Sequence, residues 1–288
     1  MTILRQQMIN AMKLRNFSDR TQKHYIDAVA GLAKFYHRSP DLLGKQQVQD
    51  YLLYLSENRK LAWSTCNIVF SGLRFFYGSV LEKADSNLWF PKRKTEIRLP
   101  EILSRQELEQ LFLSPKNIKH RVVLMTAYAA GLRLSEIINL KVKNLDSNRM
   151  MIKVEQGKGK KDRYTVLSHR LLIELRQYWI VYRPHSFLFI GRNPDKPLYK
   201  RSVQRIFTNA KNDAGITKPG GIHLLRHAFA THMLEAGVDI RTIQILMGHS
   251  SILSTQRYLK VTSKKIESTQ SPLDLLQIPY LEHFQKNV

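Results

Sequence analysis

Polar residues inside an apolar helical pattern at 223–249 restrict the fold of this chain more than any other feature of its sequence. Around them, apolar side chains recur at helical spacing: Phe229, Met233, Leu234, Ile240, Ile243 and Leu246. His223, Arg226 and His227 lie three and four positions apart, so they share one side of a helix that begins after a Gly-Gly pair. Because buried polar groups without partners cost free energy, and a helix N-terminus favours an anion, this run indicates a reaction site built into a core.

The balance of charge indicates the kind of partner. The 288 residues carry 46 Lys and Arg against 23 Asp and Glu, a formal net charge of +23 at pH 7. Such an excess favours a polyanion, either nucleic acid or an anionic membrane surface. No apolar run approaches the roughly 20 residues that cross a bilayer, and the N-terminus lacks the apolar core of a signal peptide. We therefore expect DNA or RNA as the partner, no membrane association, and residence in the cytosol, where the single Cys66 would stay reduced.

Residues 1–88 are predicted to form a helical bundle. Ser18 can cap its first helix, and residues 39–55 predict a second one that opens on a Ser-Pro pair. A third helix begins near Ser64, with Ile68 on its buried side. Basic residues along these helices are candidates for phosphate contacts, and a solvated polar face explains any one of them as well.

Two further segments break the helical periodicity. Residues 89–101 are marked by prolines and predict a basic linker, in which Lys92, Arg93 and Lys94 are candidates to follow a DNA backbone. Residues 271–288 form a C-terminal tail that begins with Ser-Pro and carries an apolar stripe. This tail is more amphipathic than a frayed terminus, so we expect it to dock on this subunit or on a neighbouring one.

Residues 102–270 are predicted as a second domain that mixes helices and strands. Ser104 and Glu107 match a capping box, and a helix over 119–129 stops at a glycine. Arg133 and Glu136 lie at the opening of the next helix.

A hairpin follows in the same domain. Strands predicted at 150–154 and 163–166 flank a turn rich in Gly and Lys, which carries Lys158 and Lys160. The turn lacks the Gly-Lys-Ser/Thr ending of a nucleotide-binding loop, but its glycines let a lysine reach into a site. A later helix, predicted over 199–210, has Arg201 and Arg205 on one side as further DNA-backbone candidates.

These residue types suit the cleavage of a phosphodiester bond by a side chain. Negative charge builds on the phosphate oxygens during attack, and the planar guanidinium groups of Arg133 and Arg226 can bind it. Lys158 can give a proton to the leaving 5′ oxygen, and histidines at 223 and 249 can donate hydrogen bonds or move protons. Tyr258 is then the nucleophile, and it needs such cations because the free pKa of tyrosine is about 10. This chemistry requires neither a metal nor another cofactor.

Several stretches resemble the tyrosine recombinase (phage integrase) family. Residues 225–232 (LRHAFATH), 246–249 (LMGH) and Tyr258 match its motifs in order. Residues 130–136 resemble its first arginine box and residues 157–159 its hairpin lysine. Two departures are minor: Ala228 stands where the family usually has Ser or Thr, and Met247 where it usually has Leu.

The resemblance implies a fold that is mainly α with a small β-sheet. An N-terminal helical bundle and an α+β catalytic domain would together form a clamp around DNA. It also implies Tyr258 as the nucleophile of a 3′-phosphotyrosine, Arg133 and Arg226 as phosphate clamps, and Lys158 as general acid. His223 would accept the tyrosine proton and His249 would donate a hydrogen bond to phosphate. Glu136 would support the arginine site. Apart from the resemblance, we also expect a supporting role for His227.

The compact layout resembles Xer-like and transposon-associated members of that family. For these, the resemblance implies a homotetramer on two double-stranded recombination sites, strand exchange through a Holliday junction, and a C-terminal segment passed between subunits. Accessory proteins or a second recombinase are further partners to consider. The expected location is the bacterial cytosol, in association with the nucleoid.

Three alternatives compete with this prediction. Histidines 223, 227, 232 and 249 suggest a zinc site, but their spacing places no third ligand and Arg226 would repel a cation. A catalytically silent DNA-binding protein could keep the same scaffold, although every position that would carry the chemistry is intact. A type IB topoisomerase shares the chemistry, but it gives no reason for the small bundle and the tail.

Overall fold

The computed structural model describes residues 2–82, 101–155, 162–249, 251–256 and 258. The chain divides into two compact units, Met1–Ile97 and Arg98–Val288. The predicted basic linker falls almost wholly outside the described residues, and the predicted tail, 271–288, falls wholly outside them. No helix in the described part of the chain combines the length and the apolarity needed to cross a membrane.

The first unit is a bundle of helices around an apolar core. Its helices are α1 (Ile3–Leu14), α2 (Asp19–Tyr36), α3 (Lys45–Glu57) and α4 (Trp63–Ser79). Ser18 caps α2 as predicted, because its side chain accepts a hydrogen bond from the backbone N–H of Thr21. Residues from all four helices form the core, among them Met12, Leu32, Leu52 and Phe76.

Three details of this unit differ from the sequence prediction. No helix start was predicted for α1, yet Met8 and Met12 of this helix are buried in the core. The helix predicted over 39–55 begins only at Lys45, because a single 3₁₀ turn at Pro40–Leu42 precedes it. Ile68 is 44% exposed and does not belong to the buried side of α4.

The second unit combines helices with one small sheet. The helices are α5 (Arg105–Leu113), α6 (Ile118–Ala129), α7 (Leu134–Asn139), α8 (His169–Tyr182), α9 (Lys200–Asp213), α10 (His223–Glu235), α11 (Ile240–Met247) and α12 (Leu253–Gln256). Ser104 and Glu107 form the predicted capping box at the start of α5. The antiparallel sheet has the order β1 (Leu145–Asp146), β2 (Met151–Val154) and β3 (Arg163–Val166).

The register of the β2–β3 hairpin determines which side chains of β3 face the rest of the domain. Val154 of β2 pairs with Arg163 of β3, and Ile152 pairs with Thr165. Side chains alternate between the faces of a strand, so Arg163 and the buried Thr165 point to the same side. Thr165 donates a hydrogen bond to the carbonyl of Ala130 at the end of α6, which attaches this face of the sheet to the α6–α7 junction.

Candidate active site

Arg133 follows a tight turn at the end of α6. Gly131 has φ +59°, and a Cβ added there would lie 2.4 Å from the ring of Phe229, so only glycine fits. The turn makes Arg133 the N-cap of α7. Its guanidinium donates to Oε1 of Glu136 at 2.7 Å and to the carbonyl of Gly248 at 3.0 Å. Arg133 therefore joins the start of α7 to the end of α11.

Glu136 is a buried carboxylate held by several donors. Both of its oxygens accept hydrogen bonds from Arg163, each at 2.8 Å, and one oxygen also accepts the backbone N–H of Arg133 at 2.8 Å. Burial alone would raise the pKa of Glu136. The hydrogen bonds and charge of Arg163, together with the bonds from Arg133, outweigh burial and lower this pKa to about 2. Glu136 is thus ionised at every pH at which the protein would work.

Arg226 lies on the first turn of α10 and is only 4% exposed. It donates to the carbonyl of Gly131 at 2.5 Å and to the carbonyl of Met247 at 2.6 Å, and it lies 3.8 Å from Glu136. Burial, and then the neighbouring Arg133, lower the pKa of Arg226 to about 9. The guanidinium stays charged at neutral pH, at a position where a cation is costly.

The three arginines and Glu136 form a group with unbalanced charge, here called the arginine cluster: Arg133, Arg163, Arg226 and Glu136. Within the described part of the chain, the ion pairs of all three guanidinium groups end on this one carboxylate. Three positive charges against one negative leave an excess of two. Since uncompensated buried charge is costly, the arrangement is suited to receive an anion.

The two histidines predicted to act at the phosphate lie beside the arginine cluster. His223 is the first residue of α10 and has an exposed side chain. Crowding by surrounding protein atoms, and then the charges of Arg226 and Arg133, lower the pKa of His223, which favours its neutral form. His249 follows Gly248, which ends α11 in the left-handed conformation, and its Nδ1 shares a hydrogen bond of 2.8 Å with Oγ1 of Thr255. That bond fixes the orientation of the imidazole ring.

Tyr258 is 2% exposed and lies two residues beyond the end of α12. Its ring packs in a small apolar cluster with residues of α10 and α11: Phe229, Ala230, Leu234, Ile243 and Met247. Its hydroxyl lies 2.8 Å from Nδ1 of His227. It is also close enough to Arg226 for the charges of the two groups to interact. The described structure therefore brings Tyr258 beside the arginine cluster.

The remaining predicted site residues fall into two groups. The hairpin lysines Lys158 and Lys160, and the linker residues Lys92, Arg93 and Lys94, lie outside the described residues. Arg201 and Arg205 are exposed on α9, opposite the buried face of that helix. Arg205 also lines a cavity of about 700 Å³ together with other basic residues.

The sequence prediction missed Arg163 as part of this site. The residue begins β3, and its side chain is 8% exposed. The sequence did contain a signal for this residue. Strand alternation puts Arg163 on the same face as Thr165, which apolar residues flank. An arginine that faces inward needs an anionic partner. Thr255, which orients His249, was also missed, although it lies only three residues before Tyr258.

A metal site was weighed for the histidines of α10 and the residue after α11. Three of these four histidines have other partners: His227 bonds with Tyr258, His249 with Thr255, and His232 with the hydroxyl of Tyr128 at 3.0 Å. Among the residues that the structure describes, no three His, Cys, Asp or Glu side chains come together as metal ligands would.

Comparison with known families covers both units of the chain. The phage integrase family profile matches residues 101–265. The profile of the phage integrase N-terminal SAM-like domain matches residues 4–85. The two matches together span the bundle and the site described above.

Individual relatives agree with these profiles. The Sinorhizobium fredii protein y4qK, an inferred integrase/recombinase, is 42% identical over 284 residues, covering 97% of this chain and 91% of that protein. Tyrosine recombinase XerC of Lactobacillus delbrueckii subsp. bulgaricus is 31% identical and covers 98% of this chain and 99% of its own length.

Solved structures share the fold. A crystal structure of XerA recombinase has a TM-score of 0.54 and 26% identity, covering 92% of this chain and 95% of that chain. XerH recombinase, bound to a palindromic difH substrate after cleavage, has a TM-score of 0.71 and 19% identity over 89% of this chain and 81% of that chain.

Proposed function

Because the chain belongs to the phage integrase family and is a tyrosine site-specific recombinase, we propose that Tyr258 is its nucleophile and that the arginine cluster binds the scissile phosphate. One observation carries this assignment. A buried tyrosine lies beside three guanidinium groups whose ion pairs, within the described residues, share a single carboxylate. A phosphodiester supplies the missing negative charge.

Arg133 and Arg226 are proposed to hold the two non-bridging oxygens of this phosphate. A guanidinium presents paired N–H donors that match phosphate oxygens, and fixed donors stabilise the charge that develops during attack. Their carbonyl bonds to Gly131, Met247 and Gly248 support this role, because they fix both side chains before DNA arrives. His249, oriented by Thr255, donates a further hydrogen bond to the phosphate in this proposal.

The cleavage step forms one bond and breaks another at the same phosphorus. The hydroxyl oxygen of Tyr258 attacks the phosphorus, and the bond to the 5′ oxygen breaks, which leaves a 3′-phosphotyrosine. His223 accepts the phenol proton, and Lys158 gives a proton to the departing 5′ oxygen. The lowered pKa of His223 supports its part, since only the neutral imidazole can accept a proton.

Rejoining is proposed to be the reverse reaction with a different strand. A 5′-hydroxyl attacks the phosphotyrosine, and the phenol regains its proton. The phosphodiester energy is kept in the covalent intermediate, so the cycle needs no ATP, and the cationic side chains take the place that a metal has in many nucleases.

DNA binding is proposed to extend beyond the scissile phosphate. Arg201 and Arg205 are exposed on α9, and Lys160 adjoins the proposed general acid, so these side chains can neutralise backbone phosphates. Lys92, Arg93 and Lys94 are proposed to contact the backbone along the linker. The net charge of +23 supports an interface of this extent.

The proposed assembly is a homotetramer on two double-stranded sites, in which strands exchange through a Holliday junction. Residues 271–288 are the proposed segment that passes between subunits. Accessory proteins or a second recombinase are further partners in this proposal. The proposed place of action is the bacterial cytosol, at the nucleoid.

A nicked DNA substrate tests the proposed nucleophile. Once cleavage releases a short 5′ fragment, religation cannot occur, and the covalent protein–DNA adduct accumulates. The adduct is expected with the wild type and is expected to be absent with Tyr258→Phe.

A further inference from the structure

Arg163 is a buried cation of the arginine cluster, and the cleavage steps proposed above give its side chain no individual role. Nη1 and Nη2 of Arg163 donate to the two oxygens of Glu136, and Nε donates to the carbonyl of Leu246 at 2.8 Å. Three of its N–H groups are thus bonded within the protein. This planar, three-point attachment fixes the orientation of the guanidinium in a way that a single ammonium group could not reproduce.

These bonds connect three elements of the site. Arg163 begins β3, Glu136 lies on α7, and Leu246 lies near the end of α11. The side chain of Arg163 also fills the space beside Gly248, where an added Cβ would lie 2.7 Å from its Cδ. Gly248 in turn accepts the bond from Arg133 and precedes His249. Arg163 is therefore packed against the backbone that both proposed phosphate ligands use.

The charge of Arg163 acts on the same groups. Glu136 is shared between Arg133 and Arg163, and with both present the arginine cluster has an excess of two positive charges. Without Arg163 the excess falls to one, and Glu136 compensates Arg133 more fully. The phosphate would then meet a weaker and less fixed cation.

We propose that Arg163 is a positioning residue for DNA cleavage: through Glu136 and Leu246 it holds Arg133 and the turn before His249 in the arrangement that receives the scissile phosphate. This inference rests on the proposed cleavage by Tyr258. It differs from a purely structural role, in which Arg163 would stabilise the fold and leave the chemistry of a folded variant unchanged.

The pH dependence of cleavage distinguishes these two roles. The groups facing Glu136 are Arg133 from its own turn, Arg163 from β3, and Arg226 and His223 from the start of α10. In Arg163→Met, burial of Glu136 is opposed by fewer cations, so its pKa rises. A protonated Glu136 holds Arg133 less firmly. Cleavage by this variant should therefore fall at acidic pH more steeply than cleavage by the wild type.

The experiment measures the rate of covalent adduct formation on nicked DNA from about pH 5 to about pH 8, with DNA affinity and melting temperature measured in parallel. The variants are Arg163→Lys, Arg163→Met and Arg163→Met/Glu136→Gln. Arg121→Met is the matched control, because Arg121 forms a part-buried 2.7 Å ion pair with Glu174 in the same unit. This control shows how much the melting temperature and the cleavage rate change when an ion pair is lost away from the arginine cluster.

Both single substitutions at Arg163 are expected to slow adduct formation about 10- to 100-fold, as a small displacement of positioned groups does. DNA affinity should change by less than about threefold, because it is spread over many phosphates. The additional acidic loss should appear in Arg163→Met and vanish in the double variant, which has no carboxyl to titrate. Arg121→Met should cleave at the wild-type rate.

The inference is overturned if folded Arg163→Lys cleaves like the wild type, or if the Arg163 variants lose activity only in step with their loss of folded protein. If Arg163→Met does not fold, Arg163→Lys alone distinguishes the positioning role from the structural role, because lysine keeps the positive charge and lacks the paired N–H donors. Failure of the proposed function itself looks different: the wild type then forms no adduct.

Discussion

The hydroxyl of Tyr258 and Nδ1 of His227 share a hydrogen bond of 2.8 Å, with the tyrosine ring buried in the apolar cluster between α10 and α11. His227 is the neighbour of Arg226 in the chain. The proposed nucleophile is thus bonded to a residue other than His223, which the family resemblance implies as its proton acceptor. For the phenol proton to pass to His223, as proposed above, Tyr258 has to exchange this hydrogen bond for one to His223.

The bond between these two residues should be measurable as a coupling free energy. His227→Ala and Tyr258→Phe each remove it, so the double variant should lose less stability than the sum of the two single losses. The expected coupling is about 0.5–1.5 kcal/mol, the usual net value of a hydrogen bond. Urea denaturation of the four proteins provides the measurement. If the losses of stability in the two single variants add up to the loss in the double variant, the hydrogen bond contributes nothing to the free energy of unfolding.

Glu136 should make stability depend on pH in a defined window. Its folded pKa of about 2 lies below the ordinary value of 4.5, so its ionised form stabilises the fold above pH 4.5, and this stabilisation is lost as pH falls toward 2. At pH 7, Glu136→Gln should be less stable than the wild type by roughly 3 kcal/mol. Denaturation at several pH values should show the difference shrinking below about pH 4.5. A difference that stays constant down to about pH 3 would contradict this account.

Gly248 should tolerate alanine less well than Gly237 does. Both have positive φ, +62° and +86°, so alanine costs roughly 1–2 kcal/mol of backbone strain at either position. At Gly248 the new Cβ would also lie 2.7 Å from Arg163, whereas at Gly237 nothing lies within 4 Å. We expect Gly248→Ala to lose about 1–3 kcal/mol more stability than Gly237→Ala.

Cleavage assays extend this comparison. Gly248→Ala should slow adduct formation at least about 10-fold, because displacing Arg163 also shifts Arg133 and the turn before His249, which are proposed to hold the phosphate. Gly237→Ala should cleave normally where it is folded. Equal effects of the two substitutions on stability and on cleavage would show that contact with Arg163 is irrelevant.

Local signals in the sequence predicted much of this fold. The capping box of Ser104 and Glu107, the glycine at 131 that follows α6, and the two strands β2 and β3 each depend on signals within a few residues, so they could be recognised without the structure. The placement of Arg133 and Arg226 side by side required the family resemblance, since they lie far apart in the chain.

The missed features depend on contacts distant in sequence. Arg163 is 27 residues from Glu136 and 83 from Leu246, and His227 is 31 residues from Tyr258. Nothing in the local pattern of β3 specifies which carboxylate its arginine meets. Likewise, α1 carries no strong start signal, and its place comes from burying Met8 and Met12 against the other helices.

The most direct test of the central claim is covalent trapping on a nicked recombination substrate with Tyr258→Phe. Tyr182→Phe is the matched control, because it removes a tyrosine hydroxyl that bonds to Asn117 at 3.3 Å in the same unit. We expect the wild type and the control to form a DNA adduct, with and without EDTA, and Tyr258→Phe to bind DNA and form none. An adduct with Tyr258→Phe, or its loss from the wild type on chelation, would contradict a metal-independent attack by Tyr258.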